Sequence, residues 1–187
     1  MSTTTSTTLP AGLTAGVWTV DASHTEASFS VRHAGISKVR GTVGVTEGTI
    51  TVGDDLEATA VNVTLDPSTV TTGDANRDGH LKSGDFFDVE NHPTMTFKST
   101  GITADGGDFL LTGDLSLHGV TKSVTFELEF EGVTQDPWGN TRAGFSAKTE
   151  INRKDWGLEW NAPLEAGGVL IGEKVKIDLE IEAVKAA

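Results

Sequence analysis

The chain has 187 residues and no cysteine, and its 27 Asp and Glu outweigh 14 Lys and Arg for a formal net charge of −13. Disulfides, thiolate catalysis and thiolate metal sites are thereby excluded. So acidic a surface repels phosphate backbones, so nucleic acid is not an expected partner, and no apolar run approaches the roughly 20 residues of a membrane span, so stable membrane insertion is not expected either.

In chain order, residues 1–14 read as a disordered polar tail that is rich in Ser and Thr and offers nothing to bury. Met1–Pro10 has neither the basic nor the apolar segment of a secretory leader, which makes a cytoplasmic location the expectation. Residues 15–187 read as one domain. A weak strand at 16–21 is followed by Thr25–His33, where Ala27, Phe29 and Val31 share a face. Weak strands follow at 38–46 and 48–52, then a clear one with Val61, Val63 and Leu65 alternating with polar neighbours. Asp66–His92 lacks this period and reads as short helices, with Ser68 or Asp74 as N-cap and Gly84 as a stop.

A weak strand at 94–100 precedes Phe109–Leu117, and the clearest alternation of all is Val120–Glu131. There Val124, Phe126, Leu128 and Phe130 face one way and Thr125, Glu127, Glu129 and Glu131 the other. Ala143–Ile151 and Val175–Ile181 repeat the pattern, with turn signals such as Asp105-Gly106-Gly107 and His118-Gly119 between segments. About eight or more strands, each with one apolar face, must bring those faces together in a sandwich or a closed antiparallel barrel. Strands of ten residues or more favour the barrel, whose interior holds either packed side chains or one small ligand.

The residues that could carry chemistry are few. Asp74-Ala75-Asn76-Arg77-Asp78-Gly79 with Asp85 imitates a calcium loop. Lys82 at its ninth position and a strand where a helix should precede it favour helix capping instead. No two of the five histidines have i, i+4 spacing; His24 and His33 bracket one strand. No metal site and no catalytic residue is assigned, and an enzyme is not expected. Phe29, Phe97, Phe109, Phe126, Phe130 and Phe145 all fall on apolar faces, which suits a packed core and, as a set, an apolar tunnel.

Val20-Asp21-Ala22-Ser23-His24-Thr25 leading to Phe29-Ser30-Val31-Arg32-His33 resembles the opening of the YceI-like, polyisoprenoid-binding family. The resemblance continues through Val39-Arg40-Gly41, Arg77-Asp78-Gly79-His80-Leu81 with Asp85–Val89, Pro93–Ser99, Gly113–Thr121 and Ile151–Gly157. Trp18 stands where a Tyr is common in the family. The resemblance implies an all-β, lipocalin-like closed barrel of about eight strands with a short helical insertion, whose interior takes a polyisoprenoid or other amphiphilic chain. On that reading the lining is Phe29, Val31, Val61, Val63, Phe97, Leu111, Leu115, Phe126, Leu128 and Phe145, with His24, Arg77 and His80 at the headgroup end.

The expected function is non-catalytic binding, storage or transport of an isoprenoid such as a quinone or prenyl phosphate, with no cofactor beyond that lipid. An enzyme using a histidine as acid or base, and a solidly packed stress-response or interaction module, are the alternatives. The reading leaves a homodimer open.

Overall fold

The alternating segments form nine strands: β1 (Gly16–Val20), β2 (Glu26–His33), β3 (Ser37–Val52), β4 (Ala60–Thr71), β5 (Met95–Asp105), β6 (Asp108–Leu117), β7 (Val120–Gln135), β8 (Thr141–Asn152) and β9 (Ile171–Lys185). Among the described residues, one helix, α1 (Ala75–Lys82), and two 3-10 turns, Ala22–His24 and Arg153–Trp156, interrupt them. The computed structural model describes residues 6–187.

The strand order is β1-β3-β2-β9-β8-β7-β6-β5-β4, and the further pairing of β3 with β4 closes the sheet into a barrel. Each pairing is antiparallel, as expected from short connections between successive strands. β1 and β2 share one stave: β1 pairs with Thr49–Val52 of β3 and with Ala183–Lys185 of β9, and β2 pairs further along the same two strands. The 3-10 turn between them breaks that stave. Register shifts at Val45/Glu47, Ser99/Gly101 and Phe130/Gly132 mark bulges, which bend strands as long as 16 residues around the curve.

Two sequence expectations change here. Segments 38–46 and 48–52 are one strand, β3, with the bulge at Glu47 imitating a break. Asp66–Thr71, read as helical, continues β4, and the Thr69 hydroxyl accepts the Gly44 N–H at 2.7 Å where the backbone ladder is out of register. The single helix that remains uses the expected cap, Asp74, whose carboxylate accepts the Arg77 N–H at 2.9 Å. Because Ala75–Lys82 is helical, the calcium-like residues do not form a wrapping loop. Asp78 instead accepts the N–H and hydroxyl of Thr72, and these bonds hold its carboxyl below the usual range.

α1, the 34–36 and 118–119 turns and the 153–170 connection gather at one end of the barrel, the upper end. The lower end is closed differently. Residues 6–14 belong to the segment expected to be a disordered tail, yet Leu9 and Leu13 pack against the core. The Leu56 N–H donates to Thr7, and the fully buried Trp18 donates its indole N–H to the Thr14 carbonyl. Two apolar side chains suffice to turn a polar stretch into a plug. Residues 1–5 lie outside the described residues.

Candidate ligand cavity

Inward side chains from the barrel staves meet in the lower half and leave a cavity of about 510 Å³ in the upper half. That volume falls within the range of about 300–1,000 Å³ found for small-molecule sites. The floor is aromatic: Phe97 of β5 and Phe126 of β7 meet edge to face, ring centroids 5.4 Å apart. Their approach depends on Gly113 of the intervening β6, where a Cβ would lie 2.5 Å from the Phe97 ring. Alternation along β6 and β7 sends Leu111, Leu115 and Phe126 inward and Thr125 and Glu127 outward, so the same period that builds the wall makes its inside apolar.

Of the residues expected to line a ligand site, Phe29, Val31, Val61, Val63, Phe97, Leu111, Leu115 and Phe126 do line this cavity, and so do Arg77 and His80 of α1. Leu128 and Phe145 do not. They sit one level lower with Phe130, whose ring centroid is 5.5 Å from that of Phe145, around a void of only about 50 Å³ sealed by Leu9 and Leu13. His24 is outside altogether. Its side chain is 61 % exposed on the outer wall, with Nδ1 2.8 Å from Asp21.

The ionisable groups of the lining are all of the basic type, beside neutral Thr25, Ser28 and Asn76. Arg32, His33, Arg77, His80 and Arg153 contribute to it, and among the described residues no Asp, Glu or Lys does. In a chain with nearly twice as many acidic as basic residues, this sorting is a local property of the upper end. Arg77 is held by the link that precedes its helix: Nε donates to the Thr72 hydroxyl at 2.7 Å and Nη2 to the Thr72 carbonyl at 2.8 Å. The His80 ring stands edge-on to Trp160 at 4.6 Å and to Phe86 at 5.0 Å, with Nε2 2.9 Å from Asp85.

Arg153 is the one charged side chain within the buried core of the described residues, 4 % exposed. It follows β8 in the 3-10 turn and donates to the carbonyls of Leu158, Trp160, Gly172 and Ile171, at 2.6 to 3.4 Å. Its hydrogen-bond partners there are carbonyl dipoles, and burial pulls its pKa down against the opposing charge of Glu173. Sequence reasoning did not single it out, since a lone Arg just past the end of an alternating strand carries no signal of burial. Arg32 was also missed, because alternation marks it as outward, and the register shift between Val31 and His33 lies at that point, whereas His33 continues the face of Phe29 and Val31. Val175, Ile177, Leu179 and Ile181 of β9 line the cavity as well, and their alternation was open to the same reading as that of β7.

No described helix is long and apolar enough to cross a membrane. Comparison with known proteins fits the architecture. The YceI-like domain matches residues 18–183. Protein YceI of Escherichia coli O157:H7 is 42 % identical over 137 residues, 73 % of this chain and 72 % of that protein. A UPF0312 protein of Staphylococcus aureus strain N315 is 36 % identical over 170 residues, 88 % of this chain and 95 % of the other. Among solved structures, the Campylobacter jejuni YceI protein superposes with a TM-score of 0.65 at 26 % identity, covering 83 % of this chain and 90 % of that one. A polyisoprenoid binding domain from Saccharophagus degradans shares the fold, with a TM-score of 0.66 at 15 % identity over 90 % of this chain and 98 % of its own. With a closed barrel, a single short helix over one end and a match that runs nearly the length of the domain, the chain belongs to the YceI-like family.

Proposed function

We propose that the chain stores or carries one long amphiphilic isoprenoid, its apolar tail inside the barrel and an anionic head, such as a prenyl phosphate, at the upper end, without catalysing a reaction. The observation that carries this reading is the cavity of about 510 Å³, apolar along the barrel, with Arg32 of β2 and Arg77 and His80 of α1 among the residues that line it. The Saccharophagus degradans neighbour, described as polyisoprenoid binding, supports the class of tail. The head assignment rests on Arg32 and Arg77, whose guanidinium groups can offer planar donors to phosphate oxygens.

The energetics favour such a ligand. Moving each CH₂ from water into the cavity gains about 0.8 kcal/mol, so ten buried carbons contribute about 8 kcal/mol before the cost of ordering the chain. The test is native mass spectrometry of purified protein with added farnesyl phosphate and farnesol, beside the variants Phe126→Asp and Val63→Trp. One-to-one uptake by the parent, lost in both folded variants, supports the reading, and tighter uptake of the phosphate supports the head. A parent that takes up neither lipid, or a Val63→Trp variant that takes up both unchanged, overturns it.

A further inference from the structure

We propose that Asp88, His92 and His118 form a binding site for one divalent transition-metal ion of the zinc class at the upper rim of the barrel. A carboxylate oxygen of Asp88 and a ring nitrogen of each histidine all lie within 4.8 Å of one another. His92 Nε2 is 4.0 Å from Asp88 Oδ2, and the two imidazole centroids are 5.2 Å apart. Bonds of about 2.0–2.1 Å to a single zinc bring ligand atoms to roughly 3.4 Å from one another, so closure needs a shift of about 1 Å. Two of the three ligands lie on the connection between α1 and β5, which has no ladder to hold it back.

The site is also built behind its ligands. His118 Nδ1 donates to the Trp156 carbonyl at 3.0 Å, which fixes the tautomer and leaves Nε2 with a free lone pair. Both Asp88 oxygens accept from the Asn91 amide, at 3.1 and 3.0 Å. The backbone is costly at two ligand positions. Asp88 has φ 49° and His118 φ 54°, in the left-handed region that non-glycine residues visit rarely, although Asp and His tolerate it better than most. His118 precedes Gly119 (φ 73°) in the two-residue turn between β6 and β7, a place where Asn is the usual choice. Two imidazoles and a carboxylate with further positions open suit zinc and its neighbours better than calcium, which prefers an all-oxygen shell.

A second group, Asp21, His24 and Glu182, has comparable spacing. There the cation is already supplied by the chain, because Arg142 Nη1 lies 2.9 Å from Asp21 and 3.7 Å from Glu182. No guanidinium or ammonium group pairs with Asp88 among the described ion pairs. An ion at Asp88 would tie together the 83–94 connection, the β6–β7 turn and the 3-10 turn at Trp156. Phe86 and Phe87, on the first of these, face the cavity, so the ion would hold part of its upper wall.

The test is calorimetric titration of untagged protein with zinc chloride alone. His118→Asn and Asp88→Asn keep a residue that tolerates the left-handed backbone, and His92→Ala removes a ligand where no such constraint applies. One equivalent is expected to bind the parent. Affinity is expected to fall by at least about tenfold in each folded variant, a loss that even a partner behind the ligands can cause. His24→Ala is expected to bind as the parent does. Absence of one-to-one binding, unchanged affinity in His92→Ala and His118→Asn, or a loss in His24→Ala instead, each overturns the assignment.

Discussion

Phe97 and Phe126 meet at a right angle across the floor of the cavity, although β6 stands between their strands. Gly113 makes this arrangement possible, since a Cβ there would lie 2.5 Å from the Phe97 ring and 2.6 Å from the Lys98 carbonyl oxygen. The backbone oxygen cannot swing aside as a flexible side chain could. Gly113→Ala is therefore expected to lower stability by about 1–3 kcal/mol, the usual cost of overpacking. Thermal unfolding should show this as a lower Tm, at about 2–4 °C per kcal/mol for a chain of this size. An unchanged Tm would mean that the floor has room to yield.

Arg153 ties the 153–170 connection to the start of β9 through four carbonyls, those of Leu158 and Trp160 on the one and Ile171 and Gly172 on the other. Arg153→Met keeps much of the volume and leaves those carbonyls buried without a donor. Since an orphaned buried group costs about 1–3 kcal/mol, the variant is expected to lose about 3 kcal/mol or more in denaturant unfolding. Arg153→Lys is expected to recover only part of the loss, because an ammonium cannot reproduce the planar fork. Full recovery by Lys would show that charge, not the fork, is what the carbonyls require.

The lower outer wall has an acid-sensitive cluster. Arg142 reaches Asp136 at 2.8 Å and Asp21 at 2.9 Å. Its hydrogen bond, opposed by burial and aided by Asn140, brings Asp136 down from 3.8 to about 2. Hydrogen bonds from Ser23, Arg142 and His24 hold Asp21 lower still. A carboxyl with a depressed pKa stabilises the fold fully above its ordinary value and loses that contribution as pH falls toward the folded value. The Tm difference between the parent and Arg142→Met is therefore expected to be constant above about pH 5 and to shrink between pH 4 and 2, as followed by circular dichroism.

The plug at the lower end is also open to test. Replacing Leu9 and Leu13 with Ser removes the apolar cover from the small void beside Phe130 and Phe145. The double variant is expected to lose about 2 kcal/mol or more, in line with burial of two leucine side chains, discounted for their partial exposure. Trp18, buried and bonded to Thr14, is the local reporter. Its indole N–H resonance should shift in the double variant, and an unshifted resonance with parental Tm would remove these residues from the seal.

What the sequence reveals depends on the physics of each element. Period-2 alternation reads directly as inside and outside, so the faces of β2, β6, β7, β8 and β9 were all legible. It gives no height along the barrel axis, which is why Leu128 and Phe145 look identical to Phe126 in the sequence yet lie beneath the cavity. His24 is a polar residue within a run that resembles the family, but the 3-10 turn at Ala22–His24 takes it outward to Asp21. The ladder of β4 continues past Pro67 with help from the Thr69 side chain, so a break in alternation was not a break in the strand. The zinc-class cluster joins residues 88, 92 and 118 through a turn and a connection, and no local spacing announces it.

The last stave has a consequence for the order of events in folding. β9 pairs with β1, β2 and β8, so it supplies both sides of the final seam. A nascent chain that ends before Ile171 presents two unpaired strand edges and has no interior, however well its first eight strands are made. The apolar faces of those strands stay open to water or to chaperones until the final fifteen-residue strand emerges. Any hydrophobic guest already bound to that half-built sheet would be enclosed as β9 zips into place.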